Sequence, residues 1–275
     1  MSRIKVKAHT CYLGHTGFNY HSRGIFRELA KYADLKIRNY TWDESPNYLN
    51  PLDLKILDSI TLTAGDGKHY DYSLTKFGPK KETIQYQNID ASFIPDVEIV
   101  LMDIDHFYFY EVANSSALKI AYSVWESTEL SLPFISCLKQ YDQVWVVSEW
   151  HRKGLIKQGI VSEKIFIVHE GYNHDLIENT VRSSDLEFVT TPDRFKFSFF
   201  GRWDYRKAVP EIINAFLQEF TPDEPVDLIL RADNDFAVDG LNSTEERLEK
   251  YGLNDPRVKI VNFCDRNNYI QYLNK

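Results

Sequence analysis

Residues 200–208 read Phe200-Gly201-Arg202-Trp203-Asp204-Tyr205-Arg206-Lys207-Ala208, and they set three cations beside a glycine between an apolar run at 195–200 and a helical pattern at 210–220. A glycine after a strand lets backbone approach a ligand closely, and the next helix offers free N–H groups and the positive end of its dipole. With cations to neutralise two or more oxygens, the combination suits a diphosphate. Surface cations beside a turn would give the same spacing without a ligand. The pattern G-x-x-x-x-G-K-[ST] is missing, which argues against a P-loop triphosphatase. Spacing assigns no role to Arg206.

Other residues could carry chemistry. In Gly14-His15-Thr16-Gly17-Phe18-Asn19 two glycines permit a turn whose N–H groups could meet an anion, although plain β–α turns look the same. It is not G-x-G-x-x-G, so a dinucleotide oxidoreductase is disfavoured. Glu126 follows an apolar run and could accept a hydroxyl proton, or be a solvated strand-end carboxylate. His106 is a cleft candidate or a structural histidine. Asp103-Ile104-Asp105 has the D-x-D form that holds a divalent cation on a donor diphosphate, but the rest of such a site is missing, so no metal is expected. Nothing sets Glu126 and Glu129 across a cleft as a glycosidase pair.

The elements that must position these residues follow from apolar periodicity. Residues 4–8 alternate like a strand, and residues 22–33 carry Ile25, Phe26, Leu29 and Ala30 at helical spacing. Short apolar runs at 97–102, 119–124, 143–147 and 165–168 suit parallel strands buried on both faces. Ser148 and Gly159 bracket a helix carrying Trp150, Leu155 and Ile156. Residues 63–88 read as a long loop or hairpin, and 178–194 as a linker between an amino-terminal domain at 1–177 and a second at 195–275. The second domain shows strands at 195–200, 226–230 and 258–261, a helix at 210–220 with Ile212, Ile213, Phe216 and Phe220 as its buried stripe, and the start of a helix at 269–273. That is too few strands for a complete doubly wound domain, and it leaves an apolar edge at 258–263 that favours self-association or a partner.

With 275 residues, 43% hydrophobic, the chain can bury more than one core. Its 40 acidic and 32 basic residues give a net charge of -8, which argues against a nucleic-acid partner. Residues 1–38 run the other way: eight Lys and Arg against Glu28 and Asp34 leave +6, either a solvated face or one turned to an anionic acceptor or acidic membrane. Cys11, Cys137 and Cys264 have neither disulfide nor zinc spacing, no run reaches membrane-span length, and no signal sequence opens the chain. The expected location is cytoplasmic, with peripheral membrane contact left open.

These motifs together resemble the retaining glycosyltransferases of family 4, which have the GT-B fold. In that family a strand ends in Gly-Arg, and a Lys about five residues on, usually in Lys-Gly, joins the Arg on the donor diphosphate; here these are Gly201, Arg202 and Lys207, with Ala208 where Gly is usual. The likeness spans roughly residues 10–34 and 95–270. It includes Trp125-Glu126-Ser127, Leu132-Pro133, Tyr141-Asp142-Gln143-Val144-Trp145-Val146-Val147-Ser148-Glu149-Trp150 and His169-Glu170-Gly171-Tyr172-Asn173. The family usually has Pro-x-Gly at the last of these, so Gly171 remains where the proline is lost, and Trp125-Glu126 stands where many members carry a His. The resemblance implies an α/β fold of two Rossmann-like domains facing a cleft, the second incomplete. It also implies metal-independent transfer from a nucleoside diphosphate sugar to a carbohydrate or glycolipid hydroxyl, with retention and no cofactor. Arg202 and Lys207 would stabilise the leaving diphosphate, and Glu126 and the Gly14-His15-Thr16-Gly17 loop would form the opposite wall. The chain stops before the family's Glu-rich motif, so little or no transferase activity and weak diphosphate binding are expected of it alone, and a non-catalytic acceptor- or anion-binding module is the alternative, as is a D-x-D metal-dependent transferase.

Overall fold

The alternation that starts at Ile4 forms β1, Ile4–Thr10. The computed structural model describes residues 3–14, 16–40, 61–64 (backbone only), 93–103, 109–110, 112–172, 174–179, 193–234, 240–241 and 243–261. The chain divides into two units, Met1–His174 and Asp175–Lys275. The sequence puts the boundary at 178–194, most of which lies outside the described residues.

In the first unit β1 joins β2 (Ala33–Asn39), β3 (Thr61–Ala64), β4 (Val97–Leu101), β5 (Leu118–Ser123), β6 (Gln143–Val146) and β7 (Ile165–Ile167). All pair in parallel, in the order β3-β2-β1-β4-β5-β6-β7. The direction of winding reverses between β1 and β4, and ligands of open α/β sheets bind at the carboxyl ends of strands beside such a switch point. Helix α1 (Gly17–Leu29) covers one face, where Phe26 packs with Val6, Ala8, Ile37, Ile99, Ile120 and Tyr122. On the other, Ile135 and Leu138 of α2 (Leu132–Leu138) and Leu155 of α3 (Glu149–Lys157) pack on Val100, Ala121, Val144 and Val146. Burial on both faces is why these strands read as short, nearly continuous apolar runs.

Three local expectations change. Helix α1 starts at Gly17, not residue 22, because the Asn19 side chain secures Thr16 at its entry. Strand β2 carries Ala33, Leu35 and Ile37 into the core between charged residues, so its apolar content per residue is low. Residues 63 and 64 of the expected loop belong to β3, while 65–88 lie outside the described residues. Helix α3 does begin after Ser148, whose Oγ accepts from His151 N at 3.2 Å, and Gly159 follows it at φ +87. Its buried residues are His151 and Leu155, whereas Trp150 and Ile156 are exposed. A short α4 (His174–Asn179) crosses the boundary between units.

The basic excess of residues 1–38 is largely folded in. Arg3 donates to Ala30 O, Arg23 is buried, Lys5 and Lys36 sit over the Phe93 ring, and Arg38 lies over Tyr40.

The second unit holds three parallel strands among its described residues, in the order β10-β9-β8: β8 (Phe195–Phe200), β9 (Val226–Arg231) and β10 (Val258–Ile260). Helices α5 (Val209–Glu219) and α6 (Thr244–Tyr251) pack on them through Val209, Ile213, Phe216 and Leu248. Strand β10 is at the edge of this sheet; Val258 in it is buried, and residues 262–263 of the expected apolar edge lie outside the described residues. On the opposite edge Phe195 and Phe197 of β8 are 64% and 39% exposed. The helix expected at 269–273 lies outside the described residues.

Candidate functional site

In the second unit the loop after β8 is fixed from both sides. Gly201 N donates to Arg231 O at 3.0 Å and Trp203 N to Ala232 O at 2.9 Å, prolonging the pairing with β9. Trp203 is buried and stacked on Tyr251, and Asn234 Nδ2 donates to Trp203 O at 2.8 Å. A Cβ on Gly201 would lie 2.8 Å from Phe199 Cζ, so a side chain there would require the Phe199 ring to shift. Asp204 then caps a single 3-10 turn, Tyr205–Lys207, by accepting from Lys207 N at 2.9 Å. At Ala208 the backbone turns left-handed, φ 52 and ψ 42, and α5 begins. That conformation favours glycine. Ala208 adopts it anyway, so the loop keeps the turn at a steric cost of about 1–2 kcal/mol.

The turn leaves Arg202, Arg206 and Lys207 exposed on one short loop, with Arg202 Nε 3.6 Å from Asp204 Oδ2. Helix α5 has no side-chain cap at its amino end; Pro210 brings no N–H and Ile212 N donates to Ala208 O at 3.0 Å, which leaves the positive end of its dipole and the Val209 and Glu211 N–H groups beside these cations. Such an arrangement binds oxyanions, and charge-assisted bonds from Arg and Lys strengthen it.

In the first unit Gly14, Thr16, Glu126 and Gly171 lie in loops that follow the carboxyl ends of strands β1, β5 and β7, and Gly17 opens α1 at the end of the first of these loops. The first loop is held by side chains. Asn19 Nδ2 donates to Cys11 O at 3.0 Å and to Leu13 O, and its Oδ1 accepts from Thr16 N at 2.8 Å. Buried Arg23 donates to Tyr12 O and Gly14 O at 2.7 and 2.9 Å, and Asn39 Oδ1 accepts from the Tyr12 and Leu13 N–H groups. Gly14 takes φ +109, and a Cβ there would meet Asn19 Oδ1 at 2.9 Å. The loop is thus a rigid lip, with the Tyr12, Leu13 and Thr16 N–H groups already used internally. Glu126 is exposed on the loop after β5, and a side chain added at Gly171 would meet nothing within 4 Å. His15, His106 and Asp105 lie outside the described residues. Among the described residues no three His, Cys, Asp or Glu side chains gather as a metal site.

Two histidines at this rim gave no sequence signal. His21 of α1 sits edge-on to Tyr122 at 4.8 Å and places Nδ1 3.0 Å from Glu170 Oε1, tying α1 to the loop after β7. Burial lowers the His21 pKa, against the pull of Glu170. Tyr122 donates to Val168 O at 2.6 Å, and burial raises its phenol to about 12. Only the loss of the family proline beside Glu170 hinted at a local change. Deeper, between β1 and β4, His9 Nε2 is 2.7 Å from Glu98 Oε2 and its Nδ1 is 3.2 Å from the Tyr40 hydroxyl. Burial lowers the His9 pKa; burial also opposes charge on Glu98, but hydrogen bonds from His9 and Ser115 outweigh it and hold that carboxyl below its usual range. Both directions fit a neutral imidazole donating to a carboxylate. The network pins the two strands at the switch point.

No protein-family model and no curated protein matches the sequence. Solved structures do match its shape. The crystal structure of Anabaena Alr3699/HepE in complex with UDP-glucose is similar with a TM-score of 0.60 at 13% identity, over 98% of this chain and 71% of that one. The apo form of the lipopolysaccharide outer core galactosyltransferase WaaB is similar with 0.51 at 13% identity, over 94% and 68%. The UDP-N-acetylglucosamine 2-epimerase of Rickettsia bellii is similar with 0.52 at 12% identity, over 98% and 71%. Identities this low speak to architecture alone. The chain has a mixed α/β fold built on parallel sheets, of the GT-B type.

Proposed function

We propose that the chain is a nucleotide-sugar-dependent glycosyltransferase of the hexosyl-transferring kind, related to family 4, acting with retention and without a metal ion. The observation that carries the reading is the loop after β8. It presents Arg202 and Lys207 at the uncapped amino end of α5 through a left-handed turn at a residue that is not glycine. A diphosphate held there would have the charge on its leaving oxygen stabilised as the glycosidic bond breaks, which is electrostatic catalysis. The acceptor oxygen forms the new bond, and Glu126 takes its proton. The Gly14–Gly17 lip and Gly171 would line the acceptor side, for a carbohydrate or glycolipid substrate reached in the cytoplasm or at a membrane surface. The complex of HepE with UDP-glucose supports a nucleotide-sugar donor.

A second reading has its own support, since the Rickettsia bellii neighbour is an epimerase with a UDP-sugar substrate and needs no acceptor. Incubation with UDP-glucose and a panel of free sugars, in the presence of chelator, separates the two. Transfer predicts UDP release that rises with acceptor, survives EDTA and falls at least tenfold in turnover for Glu126→Gln, with donor binding kept. Release or isomerisation indifferent to every acceptor would favour the second reading, and unchanged turnover of the variant would return Glu126 to a structural role.

A further inference from the structure

Ser123 ends β5 and His151 lies in the first turn of α3; both are at least 97% buried, with His151 3% and Ser123 1% exposed. Neither the Ser123 hydroxyl nor either ring nitrogen of His151 has a hydrogen-bond partner among the described residues. Both lie on the face of the sheet that α3 covers. Ser123 and Val146 are register partners on β5 and β6, and Val146 faces the core that α3 covers. The same helix supports the loop that carries Glu126. Gln158 donates to Leu130 O at 2.8 Å and accepts from Leu130 N at 2.9 Å, and a Cβ at Gly154 would lie 3.5 Å from Thr128 O. The loop is stiff, because Trp125 Nε1 donates to Ser127 Oγ at 2.7 Å and its ring packs edge-on to Phe134.

Buried polar atoms without a protein partner are uncommon in folded proteins and are normally met by ordered oxygen atoms. We propose that Ser123 and His151 form a hydroxyl-binding subsite under the Trp125–Leu130 loop, occupied by neutral O–H groups, either internal water or hydroxyls of a carbohydrate. The chemistry selects neutral O–H groups over ions. With no cation or carboxylate supplied by the pair, an anion or metal would be desolvated without compensation. A neutral imidazole offers one donor and one acceptor, and the serine hydroxyl offers both, which a water or sugar hydroxyl can match. The two ring nitrogens point to opposite edges, so at least two oxygens are required. The assignment of a sugar hydroxyl to a transferase acceptor rests on the proposed function; the subsite itself does not.

Crystals of the whole chain, grown with and without glucose, test it, together with ¹⁵N chemical shifts of the His151 ring. Density for oxygens within hydrogen-bonding distance of Ser123 Oγ and a His151 nitrogen is expected, with ring shifts typical of hydrogen-bonded nitrogens. Isolated peaks in both crystals identify water, and ring-shaped density only with glucose identifies carbohydrate. Ser123→Ala should lower Tm by roughly 2–4 °C by removing a partner of those oxygens. A dry pocket, with free-nitrogen shifts and a Ser123→Ala Tm equal to or above wild type, would overturn the proposal. UDP binding measured on the same samples keeps the outcomes apart: oxygens without UDP binding refute only the transferase reading, and UDP binding beside a dry pocket refutes only the subsite.

Discussion

Ala208 shows how a single backbone angle links a sequence motif to a binding loop. The residue types announced Arg202 and Lys207, and the departure from Lys-Gly was visible, but whether the loop kept its shape depended on a φ that no residue type reveals. At φ 52 the alanine pays steric strain that glycine would not, about 1–2 kcal/mol, partly offset because glycine costs the unfolded chain about 0.5–1 kcal/mol more entropy. Ala208→Gly should therefore stabilise the protein by about 0.5–1 kcal/mol in urea unfolding, and a loss of stability would contradict the left-handed turn. Gly201 was read as letting backbone approach a ligand, whereas in the structure the group that a Cβ there would meet is the Phe199 ring. His21, Glu170, Ser123 and His151 could not be found from sequence, because burial and partnership arise only when loops after β5 and β7 meet α1 and α3.

Strands buried on both faces announced themselves as apolar runs, and β4, β5, β6 and β7 fall within a residue or two of the expected spans. Elements of low apolar density were missed. Strand β2 alternates its core residues with Asp34, Lys36 and Arg38, and α6 buries only Thr244, Arg247 and Leu248 of its eight residues. The start of α1 was misplaced for another reason: its entry is set by the Asn19 amide, which belongs to no hydrophobic period. That amide binds Thr16 N, Cys11 O and Leu13 O, so Asn19→Ala leaves buried backbone groups unsatisfied. A loss of about 2–4 kcal/mol is expected, with hydrogen exchange accelerated first in residues 11–17. Uniform exchange in wild type and variant would show that the lip is held by something else.

Across the whole molecule, parallel sheets were legible from the apolar runs, while the strand order with its β1/β4 switch point and the partners of buried titratable groups were not. Burial lowers the pKa of His9, His21 and His151, the last from 6.5 to about 4. Between those values the unfolded chain binds protons that the native state refuses, so stability is complete above about pH 6.5 and declines as pH falls. His151 alone accounts for up to about 3 kcal/mol of that decline. Thermal melts should show a lower Tm at about pH 5 than at about pH 7, and His151→Leu should flatten the slope; a Tm that rises toward acid would contradict the burial of these rings. The central claim is that the loop after β8 holds a nucleoside diphosphate without metal, and calorimetric titration of UDP in EDTA tests it most directly. Saturable binding is expected, weakened by roughly 10–100-fold in Arg202→Ala and in Lys207→Ala. Binding that ignores both substitutions, or that requires Mn²⁺ and disappears in Asp103→Ala, would contradict it.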